Sequence, residues 1–161
     1  MRIAVLTVSD GVHHGAREDR SGELLAERAL ASGHEVVWRG VLPDERDEIA
    51  ACLARLCDED AADVVLSTGG TGFAPRDVTP EAARSTLERL SPGIDEALRA
   101  VALRHTPHGA LSRGVSGIRG RTFVVTLPGS PRACEEGWAV LEPVLEHAVK
   151  LLRSEPTEHG R

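Results

Sequence analysis

Residues 67–82 read STGGTGFAPRDVTPEA and set Gly69, Gly70 and Gly72 between an apolar run and a helix-forming one. Glycines let backbone approach a ligand closely and turn successive N–H groups toward an anion, and the positive end of a following helix adds to the attraction. Taken alone, such a turn is equally well purely structural. A second segment of the same kind, LPGSP at 127–131, again ends an apolar run and opens a helix, with Pro131 suited to the first helical position. Two cradles on one rim favour an anionic ligand. The nearest carboxylates are Asp44 in LPDE and Asp77 in PRDV. By itself Asp44 reads as a helix N-cap and Asp77 as the residue that orients the turn before Thr79. Two carboxylates facing a phosphate cradle are also what magnesium takes together with phosphate oxygens and water. The two readings are compatible, because a cap still presents its outer oxygen.

Other polar residues carry weaker signals. Arg76, Arg113, Arg119 and Arg121 lie nearest these loops, and a planar guanidinium suits phosphate, yet each alone reads as a surface charge. His13 and His14 are adjacent and lack a third ligand at helical spacing, a poor metal site. Ser112 in LSRG has no His/Asp signature nearby, which points to hydrogen bonding rather than a hydrolase triad.

Composition narrows the classes. The 161 residues, 41% hydrophobic, suffice for one sizeable core. A net charge of −6 with 2% aromatics argues against nucleic-acid binding, which uses a basic face and stacking rings. Lys150 is the only lysine, so no Walker-type loop is available. The three cysteines have no CxxC spacing, which argues against a disulfide framework and a zinc site and for reduced, mostly buried thiols. No stretch approaches the ~20 apolar residues that cross a bilayer, and the N-terminal apolar run is too short for a signal sequence. No membrane partner and a cytoplasmic location are therefore expected.

The elements that position these residues alternate. Strands are predicted at 2–8, 34–42, 62–68 and 121–129, with a short strand or bulged ribbon at 115–120. Residues 9–20 read as a long polar loop. Helices follow: one capped by Ser21 and running to residue 30, with Gly33 in a left-handed turn; one carrying Ile49, Leu53 and Leu56 on a stripe that puts Cys52 in the core; and one capped by Thr79 over 80–90. Two more span 93–105 and 130–152, the last kinked or split by Pro143. This order implies an α/β fold, a three-layer α/β/α sandwich around a mainly parallel sheet. The loops at 9–17, 43–47, 69–77 and 128–130 then share the carboxyl-end rim, where such sheets bind ligands. Residues 1–153 read as one domain and 154–161 as a disordered tail.

Seven motifs recur in order: TVSD at 7–10, DRSG at 19–22, PDE at 43–45, TGGTG at 68–72, PRDVTPEA at 75–82, LSR at 111–113 and LPGSP at 127–131. Together they resemble the MoaB/Mog family of molybdenum-cofactor biosynthesis proteins. The resemblance implies an α/β/α sandwich, a homotrimer, and transfer of AMP from Mg-ATP to molybdopterin with release of pyrophosphate. Under it, Asp44 and Asp77 match the family's two essential aspartates, catalytic and in contact with magnesium. Ser9, Asp10, Thr68, Gly69, Gly70, Thr71, Gly72, Arg76, Ser112, Pro128, Gly129 and Ser130 match positions that bind substrate. Molybdopterin and ATP are the implied partners, with a downstream molybdenum-insertion protein as a further one. Two competing readings share the fold: a non-catalytic molybdopterin-binding paralogue, and a dinucleotide or nucleotide-sugar pyrophosphatase.

Overall fold

A computed structural model describes residues 1–156. Its centre is a six-stranded sheet in the order β2-β1-β3-β6-β5-β4, with β1 at Arg2–Val8, β2 at Glu35–Leu42, β3 at Val64–Thr68, β4 at Arg89–Leu90, β5 at Ser116–Arg119 and β6 at Thr122–Leu127. Strands β2, β1, β3 and β6 are mutually parallel, while β5 runs antiparallel to both β6 and β4. The helices are α1 (Asp10–His13), α2 (Arg20–Ala31), α3 (Arg46–Asp58), α4 (Thr79–Thr86), α5 (Pro92–His105) and α6 (Pro131–Leu152), with a 3-10 turn at Pro107–Leu111.

Strands β1, β3 and β6 are apolar almost without interruption because both their faces are covered, while β2 at the edge leaves Glu35 and Arg39 exposed. Ile3, Val5, Leu66 and Val125 pack with Leu25 of α2 and Trp138, Leu141 and Leu145 of α6. On the opposite face, Ala4, Leu6, Val8 and Val65 pack with Ile49, Leu53 and Leu56 of α3 and Ala82 and Ala83 of α4. The chain leaves β1 for β2 on one side and returns to β3 on the other. That reversal opens a crevice above the carboxyl ends of β1 and β3, where ligands bind in sheets of this kind.

Several local expectations need correction. Ser9 caps α1, accepting from the Val12 N–H at 3.3 Å, so the first loop begins with a helical turn. Helix α2 is capped by Asp19, not Ser21: its Oδ1 accepts from the Gly22 N–H at 3.0 Å and the Thr7 hydroxyl at 2.8 Å, while Ser21 lies buried in the first turn. Val78 occupies the N-cap of α4, and Thr79 is a helical residue whose hydroxyl finds no partner among the described residues. That helix stops at Thr86, where the chain turns to pair β4 with β5. Pro143 does not split α6, which is continuous over 22 residues. Its ring lies on the exposed face, while Leu141, Leu145 and Val149 anchor the other side in the core. Cys52 sits half-buried at the core edge, and the buried thiols are Cys57 and Cys134, whose pKa values burial pushes up to about 11. Gly33 does adopt the left-handed conformation, with φ of 77°. Most of the expected disordered tail falls on 157–161, outside the described residues. Among those described, no helix is long and apolar enough to cross a membrane.

Candidate functional site

The glycine loop after β3 is shaped by close approach. Gly69 has φ of 101°, its N–H donates to the Leu127 carbonyl at 3.0 Å, and a Cβ there would stand 2.1 Å from the Val8 carbonyl oxygen. Gly70 has φ of 64°, and a Cβ there would lie 2.4 Å from the Thr79 hydroxyl and 2.9 Å from Asp44 Oδ1. At Gly72 a Cβ would come 2.8 Å from Asp77 Oδ2. The loop is therefore pressed against the ends of β1 and α4 with a carboxylate on either side. The second cradle backs onto it, since a Cβ at Gly129 would sit 3.3 Å from the Gly69 Cα.

The two carboxylates are held by backbone, and each keeps one oxygen without a hydrogen bond to the described residues. Asp44 Oδ2 accepts from the Asp10 N–H at 2.8 Å, and the Asp44 N–H donates back to Asp10 Oδ1 at 3.1 Å. This reciprocal pair ties the loops after β1 and β2. Asp44 does not cap α3: Glu45 stands at the N-cap position, and no side chain caps that helix. Burial raises the Asp44 pKa, and the charges of Asp10 and Asp77 push the same way. Asp77 does orient its turn: Oδ2 accepts from the Ala74 N–H at 2.8 Å. Among the described residues no group of three or more acidic, His or Cys side chains converges to hold a metal. Two carboxylates beside an anion cradle fit magnesium in its usual mode, completed by substrate phosphate and water instead of by a protein cage.

A cleft of about 820 Å³ runs from these loops to α5, the 3-10 turn and α6. Ser9, Asp44, Thr68, Gly69, Gly70, Thr71, Gly72, Asp77, Ser112, Pro128, Gly129 and Ser130 all line it. Its size is in the usual range for small-molecule sites. Asp10 and Arg76 do not line it. The Arg76 guanidinium is taken up by Asp10, at 2.6 and 3.1 Å, and by Glu45 at 2.8 Å, bracing the rim loops against each other. That pairing with Arg76 is the main cause holding the Asp10 carboxyl at about 2. The Thr68 hydroxyl is likewise spent internally, donating to the Pro128 carbonyl at 2.8 Å. Ser130 caps α6, its Oγ accepting from the Ala133 N–H at 3.1 Å, so the helix begins at the cleft wall. His14 Nδ1 meets the Asp10 carbonyl at 2.8 Å, a contact local to the first loop.

Residues 4–147 match the family described as "Probable molybdopterin binding domain". The chain belongs to this family. The molybdopterin adenylyltransferase of Helicobacter pylori (strain J99 / ATCC 700824) is 36% identical over 155 residues, covering 94% of this chain and 88% of that protein. The molybdenum cofactor synthesis protein cinnamon of Drosophila melanogaster is 40% identical over 151 residues, covering 93% of this chain and only 25% of the fly protein. Among solved structures, the molybdopterin biosynthesis enzyme MoaB from Thermus thermophilus superposes with a TM-score of 0.89 at 44% identity, covering 96% of this chain and 98% of that one. The resemblance to the MoaB/Mog family and the α/β/α fold are borne out.

In this molybdopterin-binding domain, the residue that sequence reasoning undervalued most is Arg113. Its Nε donates to the Gly72 carbonyl at 2.7 Å and one Nη to the Asp77 carbonyl at 2.6 Å, while its guanidinium pairs with Glu81. It thus clamps both ends of the loop that carries Asp77. The signal was its place in LSR, one of the shared motifs, but spacing alone does not reveal a partner some 40 residues away. Asp19 was missed in the same way: besides capping α2 it accepts from Arg39 at 3.1 Å, joining β1, α2 and β2 beside the cleft.

Proposed function

We propose that this member of the molybdopterin-binding family is a molybdopterin adenylyltransferase, which moves AMP from ATP to the terminal phosphate of molybdopterin. The observation that carries the reading is the pair Asp44 and Asp77, each with an oxygen under 3 Å from where a Cβ at Gly70 or Gly72 would lie. Two anions must be brought together, so the obstacle is charge repulsion rather than a weak nucleophile. A phosphate monoester is largely dianionic at neutral pH, with its second pKa near ~6, so no general base is required. One of its oxygens forms a bond to the α-phosphorus of ATP. The bond from that phosphorus to the bridging oxygen breaks, and pyrophosphate leaves with the electron pair.

The residues of the chain position and neutralise. The N–H groups of residues 70–72 face phosphate, with the start of α6 on the same cleft wall, Ser112 offers a hydroxyl from that wall, and Arg113 and Arg76 keep the loops fixed. Asp44 and Asp77 would hold Mg2+, which when bound neutralises phosphate charge. Positioning and charge neutralisation together carry a reaction with so little covalent work for the protein. Residues 1–153 act as one binding domain, working as a homotrimer in the cytoplasm and passing adenylated molybdopterin to a molybdenum-insertion protein.

The test is pyrophosphate release by the purified chain given ATP and Mg2+, with and without molybdopterin. Release that needs molybdopterin supports the reading. Release from ATP or a nucleotide sugar without molybdopterin would favour a pyrophosphatase, and molybdopterin binding without release would favour a non-catalytic carrier.

A further inference from the structure

Phe73 follows the glycine loop directly, lines the cleft, and is 68% exposed. Single exposed apolar residues are ordinary, but the backbone that carries this one is anchored on both sides. Leu111 lines the same cleft at 45% exposure. Arg113 brings the two segments together: its N–H donates to the Thr71 carbonyl at 2.9 Å and its Nε to the Gly72 carbonyl at 2.7 Å. The segment carrying Phe73 is also fixed on its far side, where the Ala74 N–H donates to the Asp77 carboxylate and the Asp77 N–H returns to the Ala74 carbonyl at 2.9 Å. Among the described residues Phe73 is the only Phe, Tyr or Trp that lines the cleft. Phe123 and Trp138 lie in the core, and Trp38 packs under Arg55.

We propose that Phe73, with Leu111 on the wall of the same cleft, stacks on the planar heteroaromatic ring of a substrate whose phosphate occupies the loop at 69–72. The ring is the adenine of the nucleotide or the pterin of molybdopterin, so the inference rests on the adenylyltransferase reading. The chemistry suits either ring, because an aromatic face pairs with any flat π-system without reading its edge. A clamp held by backbone hydrogen bonds loses little freedom on binding, which leaves most of the stacking to appear as affinity. Phe73 then selects for ligands that carry a ring, while the glycine loop accepts any phosphate.

The experiment titrates wild type, Phe73→Ala and Phe73→Tyr with ATP, with molybdopterin and with inorganic tripolyphosphate, which has phosphates and no ring. The expected result is that Phe73→Ala binds one of the two ring-bearing ligands about tenfold more weakly, keeps wild-type affinity for tripolyphosphate, and is rescued by Tyr. The ligand that loses affinity identifies the ring, and a Phe73→Trp variant should show fluorescence quenched by that ligand. Equal affinity of wild type and Phe73→Ala for both ring-bearing ligands overturns the stacking and leaves the adenylyltransferase reading standing. An equal loss for tripolyphosphate also overturns it, as does a changed oligomeric mass of Phe73→Ala in light scattering, which would mean that a second copy covers the ring. A wild-type protein that binds neither ATP nor molybdopterin overturns both readings together.

Discussion

Replacing Asp44 by Asn separates the catalytic account from a structural one. The amide keeps the size of the side chain and an oxygen to accept the Asp10 N–H, now bonded at 2.8 Å. Only the charge is lost. Losing one charged contact to a transition-state phosphate and its metal costs several kcal/mol, and each ~1.4 kcal/mol is tenfold, so turnover should fall on the order of a hundredfold or more. Stability should move the other way. Burial raises the pKa of Asp44, with Asp10 and Asp77 as like charges nearby. A carboxyl whose folded pKa lies above its unfolded one binds protons more tightly when folded, so its contribution falls as pH rises through that range and is unfavourable at neutral pH. Asn removes the penalty, and the melting temperature of the variant at pH 7 should equal or exceed that of wild type. By the same sign, wild-type activity on the acid side should fade at a higher pH than an ordinary aspartate would give, and this limb should vanish from the residual activity of the variant. The assays are single-turnover adenylation across pH and a thermal melt of each protein. Near-wild-type turnover by folded Asp44→Asn would refute the reasoning and return Asp44 to the role of tying two loops.

Gly70→Val should abolish ATP binding in titration calorimetry while the domain still folds, because the new side chain meets Thr79 and Asp44 at a φ of 64°; the strain of that conformation costs about 1–3 kcal/mol in urea unfolding. Arg113→Ala, which frees the carbonyls of Gly72 and Asp77, should lower stability by about 1–3 kcal/mol and raise KM for both substrates in steady-state kinetics. Leu141→Ala, at a fully buried position between α6 and the sheet, should cost about 2–5 kcal/mol of stability with kcat per folded molecule unchanged. Light scattering at micromolar concentration should report three times the chain mass, and a monomer mass would refute the trimer.

The central strands are legible because β1, β3 and β6 are buried on both faces: the expected strand at 2–8 has the boundaries of β1, whereas the two exposed residues of β4 lie in a stretch that reads as helix. The cap positions were less so. Asp19 and Ser21 are both good N-cap types, and the choice was made by a long-range partner, Thr7, that no local pattern shows. The same limit hid the fate of Arg76 and Arg113. An arginine beside a glycine loop looks like a phosphate ligand or a surface charge, and only the fold reveals that Asp10, Glu45 and the carbonyls of Gly72 and Asp77 claim those two guanidinium groups first. Pro143 does not split its helix because helix-breaking is a local rule, while three buried residues on the opposite face hold the two halves of α6 against the core.

The central claim is group transfer in a cleft built around Asp44 and Asp77, and it is tested most directly by following the phosphates of ATP separately. Purified chain is mixed with Mg2+, molybdopterin and ATP labelled at either the α- or the γ-phosphate, and the products of one turnover are separated. The account predicts that the α-label moves onto molybdopterin while the γ-label leaves in pyrophosphate, in equal amounts, and that neither occurs with Asp77→Asn. Recovery of the α-label as free AMP, or a γ-label on molybdopterin, would contradict it.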